Sequence, residues 1–308
     1  MKKAIVTGAA GFAGYHLTEK LIEAGYNVYA IVRLGSAHNQ RLRHFSEETL
    51  HVIELEMRDI AGLSNHIKEP CDAFFHLAWG GGRYNYEAQS ENISWTLTAL
   101  EQAAKLSCKK FVCTGSQAEY GLVPMDHIIT EDLRPNPFCD YGSAKVAAFY
   151  LANIRAKALG IELVWGRIFS LYGRYEPGSR MLPFLINELK KRHDVSLSSC
   201  RQNWDYLYAA DAAEAMIALG ERGRAGEIYN IANGDFAPLK DFTEAVRKHC
   251  ASFNNDKIVP VIHYGEDPDP FVSLQPSVEK IRRDTGWRAK TSFEEGLHLL
   301  ESFDYGNE

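Results

Sequence analysis

The chain has 308 residues, 45% of them hydrophobic, and a formal net charge of −6. It is long enough to bury a sizeable core, in one large domain or in a main domain with a smaller lobe. The negative balance argues against a nucleic-acid or membrane-surface partner, since like-charged polyanions are repelled, and no apolar run approaches the roughly 20 residues that span a bilayer.

The opening "MKKAIVTG" is too short an apolar run for a signal peptide, so a cytoplasmic location is expected. "KKAIVTG" reads as a first strand, followed by a helix from Phe12 to Ala24 that stops at Gly25. "NVYAIV" (27–32), "HVIELE" (51–56), "AFFHLA" (73–78), "KKFVCTG" (109–115) and "IELVWGRIF" (161–169) read as further strands. Between them the pattern predicts a short helix near Ile60–Lys68 and long helices over Tyr86–Ser107 and Tyr141–Leu159. The strands are nearly continuous apolar runs, the mark of a parallel sheet covered by helices on both faces. The expected fold is therefore α/β, a doubly wound Rossmann sheet. After Phe169 prolines and aromatics rise, yet "YNIA" (229–232) reads as one more sheet strand. The C-terminal part is thus expected to interleave: residues 1–170 and about 205–235 form the dinucleotide domain, and about 171–204 and 236–308 a substrate-binding lobe. Cys71, Cys108, Cys113, Cys139, Cys200 and Cys250 are scattered without metal spacing and are expected as free thiols, with no metal site.

"VTGAAGFAG" places Gly8, Gly11 and Gly14 between the first strand and its helix. A helix N-terminus offers unpaired N–H groups and a partial positive charge, and a pyrophosphate fits there if no side chain blocks the backbone. Gly8 would make the turn, Gly11 allow close approach, and Gly14 let helix pack on strand. Phe12 and Ala13 complete that cofactor-facing stretch. The second strand ends in Arg33, where an NAD site presents an acid to the ribose 2′-OH. An arginine favours a 2′-phosphate instead, with Ser36 and Arg41 close behind; a solvated surface arginine is the alternative. Asp59, with Ile60 beside it, follows the third strand either as an adenine contact or as a helix N-cap.

"YGSAK" puts Tyr141 and Lys145 four residues apart on one helical face. A tyrosine titrates near 10, and bringing it to about 7 takes roughly 4 kcal/mol. One unit charge at about 4 Å, at an effective dielectric of about 20, supplies that much, so the lysine is expected to tune the phenol. Ser116, in "CTGSQAEYG" at the carboxyl end of the fifth strand, is placed to hydrogen-bond a substrate oxygen; capping of loop backbone groups is its ordinary alternative.

Together "TGAAGFAG", "RDI", "HLAW", "TGSQAEYG", "YGSAK", "RIFSLYG", "WDYLYAAD", "YNIANG" and "GWRAKTSFEEGL" resemble, nearly end to end, an extended short-chain dehydrogenase/reductase of the nucleotide-sugar epimerase/dehydratase type. The resemblance implies a nucleotide-sugar substrate and Ser116, Tyr141 and Lys145 as the catalytic triad. It also implies Leu77 and Ala78 against the cofactor, Phe169 near the nicotinamide, Asn92 as a structural neighbour of the site, and a homodimer through the Tyr141 helix. "GYNVYAIVRLGS" is most similar to NADP-using GDP-mannose dehydratases, so NADP(H) is the preferred cofactor and NAD the alternative. The chain departs from the pattern in several places. Gln117 and Ala118 stand where 4,6-dehydratases carry an acid pair, and Glu119 is expected to point the other way if the segment stays extended. Ser170 replaces a substrate-contacting Asn. Trp204 replaces a diphosphate-binding Arg, leaving Arg201 or Arg174 as substitutes. Three functions follow: an NADPH-dependent ketoreductase of a nucleotide-linked 4-keto-6-deoxyhexose, with Gln117 and Ser170 toward the substrate; an NAD-dependent nucleotide-sugar 4-epimerase; or a non-enzymatic dinucleotide sensor on the same fold.

Overall fold

A computed structural model describes residues 2–252, 260–301 and 303. Its first half alternates strand and helix: β1 (Lys3–Thr7), α1 (Phe12–Glu23), β2 (Asn27–Val32), β3 (Leu50–Glu54), α2 (Leu63–His66), β4 (Ala73–His76), α3 (Tyr86–Lys105), β5 (Lys110–Ser116), α4 (Asp140–Leu159) and β6 (Glu162–Ile168). The second half holds shorter elements: β7 (Ser170–Tyr172), α5 (Met181–Lys190), β8 (Val195–Leu197), β9 (Asn203–Trp204), β10 (Tyr206–Tyr208), α6 (Ala209–Arg222), β11 (Ile228–Ile231), β12 (Ala237–Pro238), α7 (Leu239–Ser252), β13 (Ile262–Tyr264), α8 (Glu279–Thr285) and α9 (Phe293–Leu299).

Seven strands form one sheet in the order β11-β6-β5-β4-β1-β2-β3, every neighbouring pair parallel. The fold is the doubly wound Rossmann sheet expected from the sequence. Its direction of winding reverses between β1 and β4, and ligands of such sheets bind at that switch point. Phe74 and Phe75 show why the strands read as unbroken apolar runs. The two are consecutive, 0% and 1% exposed, and belong to the cores on opposite faces of the sheet. Each contributes about 1.5–3 kcal/mol by burial. Leu100, Ala148, Ala152 and Trp165 fill the face under α3 and α4. Leu17, Leu21, Met216 and Leu219 fill the face under α1 and α6. A third core gathers Leu182, Leu185, Tyr206, Val246, Phe293 and Leu297 from the shorter elements.

Several element ends differ from the expectation. The predicted fourth strand stops at His76, because the Leu77 and Ala78 N–H groups turn to donate to the Thr7 hydroxyl, each at 3.2 Å. The helix expected near residues 60–68 is a single turn, α2, behind a tight 3-10 turn over Met57–Gly62. All six cysteines are free and buried. Among the described residues no helix is long and apolar enough to cross a membrane.

Candidate active site

The switch point opens into a groove of about 610 Å³, with Gly8, Gly11, Arg33, Ser36, Leu77 and Ala78 in its wall. The glycine turn is shaped by close approach. Gly8 takes a left-handed φ of +70°, and a Cβ on Gly14 would lie 2.0 Å from the Gly8 carbonyl oxygen. Helix α1 starts at Gly11 with no side-chain cap and no acid in its first turn. Its first N–H groups therefore have no side-chain acceptor, and an anion bound there meets no like-charged side chain in that turn. Phe12 and Ala13 are half-buried in that first turn, outside the groove wall. These features fit a dinucleotide phosphate.

Arg33 leaves the end of β2 exposed on the groove wall, with Ser36, His38 and Asn39 beside it. Arg41 is engaged elsewhere: it donates to the Ala10 carbonyl at 3.2 Å and lies 4.6 Å from the Tyr175 ring centroid. After β3 the wall is made by Leu55, Glu56, Met57 and Arg58. Asp59 and Ile60 are not part of it. The N-cap of this turn is Glu56, Asp59 is an exposed side chain 3.8 Å from Arg58, and Ile60 is buried in the core. The tight turn brings the residues just after the strand to the groove and turns the next two away.

The expected catalytic groups come from β5 and α4. Ser116 ends β5, and its hydroxyl accepts the Ala118 N–H at 3.2 Å. The chain then turns in a 3-10 bend over Gln117–Glu119 rather than staying extended. That bend turns Glu119 inward, fully buried, where it accepts from Ser116 N–H at 2.8 Å, Trp165 Nε1 at 3.0 Å and Arg167 Nε at 2.7 Å. With Gln117 and Ala118 at the acid-pair positions, no acid in this turn is free to protonate a leaving hydroxyl. Gly142 lets the start of α4 pack on the bend, since a Cβ there would meet the Ala118 carbonyl at 2.5 Å.

Tyr141 is half-buried at the second residue of α4. Burial holds its phenol above the ordinary value near 10; a hydrogen bond with Ser116 opposes this, Glu119 adds to it, and Arg83 and Arg180 pull it down. The lysine expected to tune it stands 5.9 Å from the Tyr141 ring centroid, with its own hydrogen bond made to another group. Lys145 is buried, its ammonium donates to the Thr114 carbonyl at 2.6 Å, and it stands 3.6 Å from the Trp79 ring centroid. Burial lowers it to about 8. The reason is geometric: the i, i+4 spacing places both residues on one face, but the long lysine side chain satisfies its charge against the end of β5.

Phe169 is buried in the main core beside Tyr120. Ser170, expected toward the substrate, is bonded to Trp204, which stands at the position of the missing arginine: Trp204 Nε1 donates to the Ser170 hydroxyl at 2.9 Å. Neither arginine proposed to replace the one missing at Trp204 is unpaired. Arg174 grips Glu19 through both carboxylate oxygens, at 2.9 and 3.0 Å, and Arg201 is paired with Asp267. Asn92 holds the loop after β4, accepting from Gly80 N–H at 3.0 Å and donating to the Gly80 and Ala88 carbonyls. Trp79 and Arg83 on that loop were missed; the run Gly80–Gly82 a few residues after β4 was the signal for them. Glu176 was missed too. It is a buried carboxyl with one oxygen unpartnered, raised by burial to about 8 against the pull of Arg180. The sequence spacing also hid a spatial group, His249, His298 and Glu301, whose ligand atoms lie within 4.8 Å of one another.

Comparison with known proteins agrees with this fold. The NAD dependent epimerase/dehydratase family matches residues 4–232. A Bacillus subtilis protein named as an uncharacterized UDP-glucose epimerase, YtcB, is 26% identical over 99% of both chains. UDP-glucuronic acid decarboxylase 1 of Arabidopsis thaliana is 26% identical over 98% of this chain and 69% of its own. Among solved structures, the UDP-glucose 4-epimerase of Thermotoga maritima superposes with a TM-score of 0.82 at 24% identity, covering 96% of each chain. The dTDP-glucose 4,6-dehydratase of Bacillus anthracis gives 0.84 at 21%, covering 97% and 95%. The chain belongs to the NAD dependent epimerase/dehydratase family.

Proposed function

From that membership we propose that the protein is an NADPH-dependent ketoreductase of a nucleotide-linked 4-keto-6-deoxyhexose. The observation that carries the reading is Arg33 on the groove wall at the end of β2, with Ser36 beside it. A guanidinium pairs with phosphate oxygens through two N–H bonds. Gly8, Gly11, Gly14, Leu77 and Ala78 would hold the dinucleotide, which when bound supplies the hydride. Ser116 orients the keto oxygen. Tyr141 gives that oxygen its phenolic proton. Lys145 keeps a positive charge beneath the site and binds the ribose. Gln117 and Ser170 face the sugar. The locked Glu119 argues against water elimination. The substrate lobe is residues about 171–204 and 236–308.

A nucleotide-sugar 4-epimerase with tightly held NAD is the second reading. It is supported by the name of the Bacillus subtilis relative and by the NAD in the dehydratase structure. We read the molecule as cytoplasmic and as a homodimer, the dimer supported by Tyr150, Leu151 and Ile154, which are 55%, 48% and 71% exposed on α4.

Cofactor titration separates the readings. Protein purified gently is expected to exchange NADPH freely. Arg33→Asp is expected to weaken NADPH binding about tenfold to a hundredfold, the worth of a charge-assisted hydrogen bond, and to leave NADH binding nearly unchanged. Retained NAD, or equal effects on both cofactors, would favour the epimerase.

A further inference from the structure

Two cations stand at nearly the same distance from the Tyr141 ring. Lys145 Nζ is 5.9 Å from its centroid and Arg83 Cζ is 5.8 Å. They differ in what else they touch. The lysine is committed to the Thr114 carbonyl and the Trp79 face. Arg83 is exposed and has no ion pair within 4.0 Å among the described residues. Its position is nonetheless defined by the backbone. The Arg83 carbonyl accepts the Tyr141 N–H at 3.0 Å, so it satisfies one of the orphan donors at the start of α4. The loop behind it is tied at both ends, since Gln89 donates to the Gly80 and Gly82 carbonyls and Asn92 brackets Gly80. Gly81 makes the turn at φ +83°. The other charged or polar groups acting on the phenol are Ser116 at the end of β5, Glu119 in the bend, and Arg180 at the start of α5. Arg180 is shared with the buried Glu176 carboxyl.

We propose that Arg83 is a positioning residue for proton transfer. Its guanidinium beside the Tyr141 ring stabilises the phenolate left behind when Tyr141 gives up its proton. The inference rests on Tyr141 being the proton donor. In that step the Tyr141 O–H bond breaks, a new O–H bond forms on the substrate oxygen, and the negative charge stays on the phenol oxygen. A cation held near it lowers the cost of that charge. Lys145, bonded to a backbone carbonyl, supplies the field from beneath, and Arg83 supplies it from the solvent side. The loop thus links the groove wall at Trp79 to the acid that completes the reaction.

The test reads the phenol itself and needs no substrate. NMR of isotope-labelled tyrosine gives the Tyr141 titration, the resonance being the one absent in Tyr141→Phe. Arg83→Gln is expected to raise that titration by about half a pH unit to two units, the span for a unit charge near 6 Å between a watery and a protein-like dielectric. Arg83→Lys is expected to restore most of the shift, which a purely structural role would not produce. An unchanged Tyr141 titration in Arg83→Gln overturns the proposal and leaves the functional reading standing. Tyr141→Phe that still reduces a nucleotide-linked 4-keto-6-deoxyhexose at the wild-type rate removes the functional reading, and the proposal with it.

Discussion

Two turns leave the carboxyl ends of parallel strands of the same sheet, one on the groove wall after β1 and one after β5, and they are built in opposite ways. The turn after β1 is empty. Its glycines bring backbone against backbone, and α1 begins with no side chain on its first N–H groups. The bend after β5 is full. Ser116 caps Ala118, Glu119 returns to the Ser116 N–H, and Trp165 and Arg167 close on the same carboxylate. A Cβ on Gly115 would strike Trp165 Nε1 at 2.1 Å, so this bend has no room left. The first turn can take an anion because its own atoms leave the donors unused. The second cannot, and what it presents is one oriented hydroxyl.

The contrast is broken most strongly at Glu119. Glu119→Ala would leave the Arg167 guanidinium buried, 1% exposed, without its carboxylate. Such orphaned charges cost about 3–5 kcal/mol, so chemical unfolding should show a loss of that size while dinucleotide binding by the folded protein stays intact. A loss well under 1 kcal/mol would mean the bend does not depend on the pair.

At the empty turn the effect is smaller and of the opposite kind. Gly14→Ala forces a methyl into the 2.0 Å gap to the Gly8 carbonyl. Overpacking of this sort costs about 1–3 kcal/mol, and the displaced turn is expected to lose dinucleotide affinity in a fluorescence titration. Unchanged affinity would show that the turn has slack.

The finest comparison uses Lys145, which lies between the end of β5 and Trp79 after β4. Burial lowers it to about 8 from an ordinary value of 10.5. Between those values the unfolded chain holds the extra proton, so wild-type stability rises with pH there, by at most about 1.4 kcal/mol per unit. Below about pH 8 the group is charged in both states and contributes no slope. Lys145→Met lacks this slope. Unfolding curves from pH 7 to 10 should therefore show the wild type gaining on the variant only above about 8. A constant difference across the whole range would count against a buried ammonium.

The sheet was legible because its signal is local. Unbroken apolar runs, glycine stops and the position of Gly8, Gly11 and Gly14 all follow from short-range geometry. The positions of Ser116 at the end of β5 and of Tyr141 and Lys145 on α4 follow from the same local signals. What could not be read depends on contacts between distant segments. The inward turn of Glu119 needs Arg167, some fifty residues on. The Lys145 ammonium bonds a carbonyl at Thr114, and Arg174 and Arg201 are taken by Glu19 and Asp267. The carboxylate of Asp59 fits an adenine contact by sequence position, but a 3-10 turn gives the wall to Glu56 and Met57 instead. Spacing finds which residues share a face; it does not say which partner reaches them first.

The bond between Trp204 and Ser170 ties together two positions far apart in the chain. β7 and β10, which carry the two residues or their neighbours, run side by side in parallel. Replacing Ser170 alone would strand an indole N–H, and replacing Trp204 alone would strand a hydroxyl. Either single step loses a hydrogen bond. The two positions are therefore epistatic, and a double substitution is expected to cost less than the sum of the two single ones.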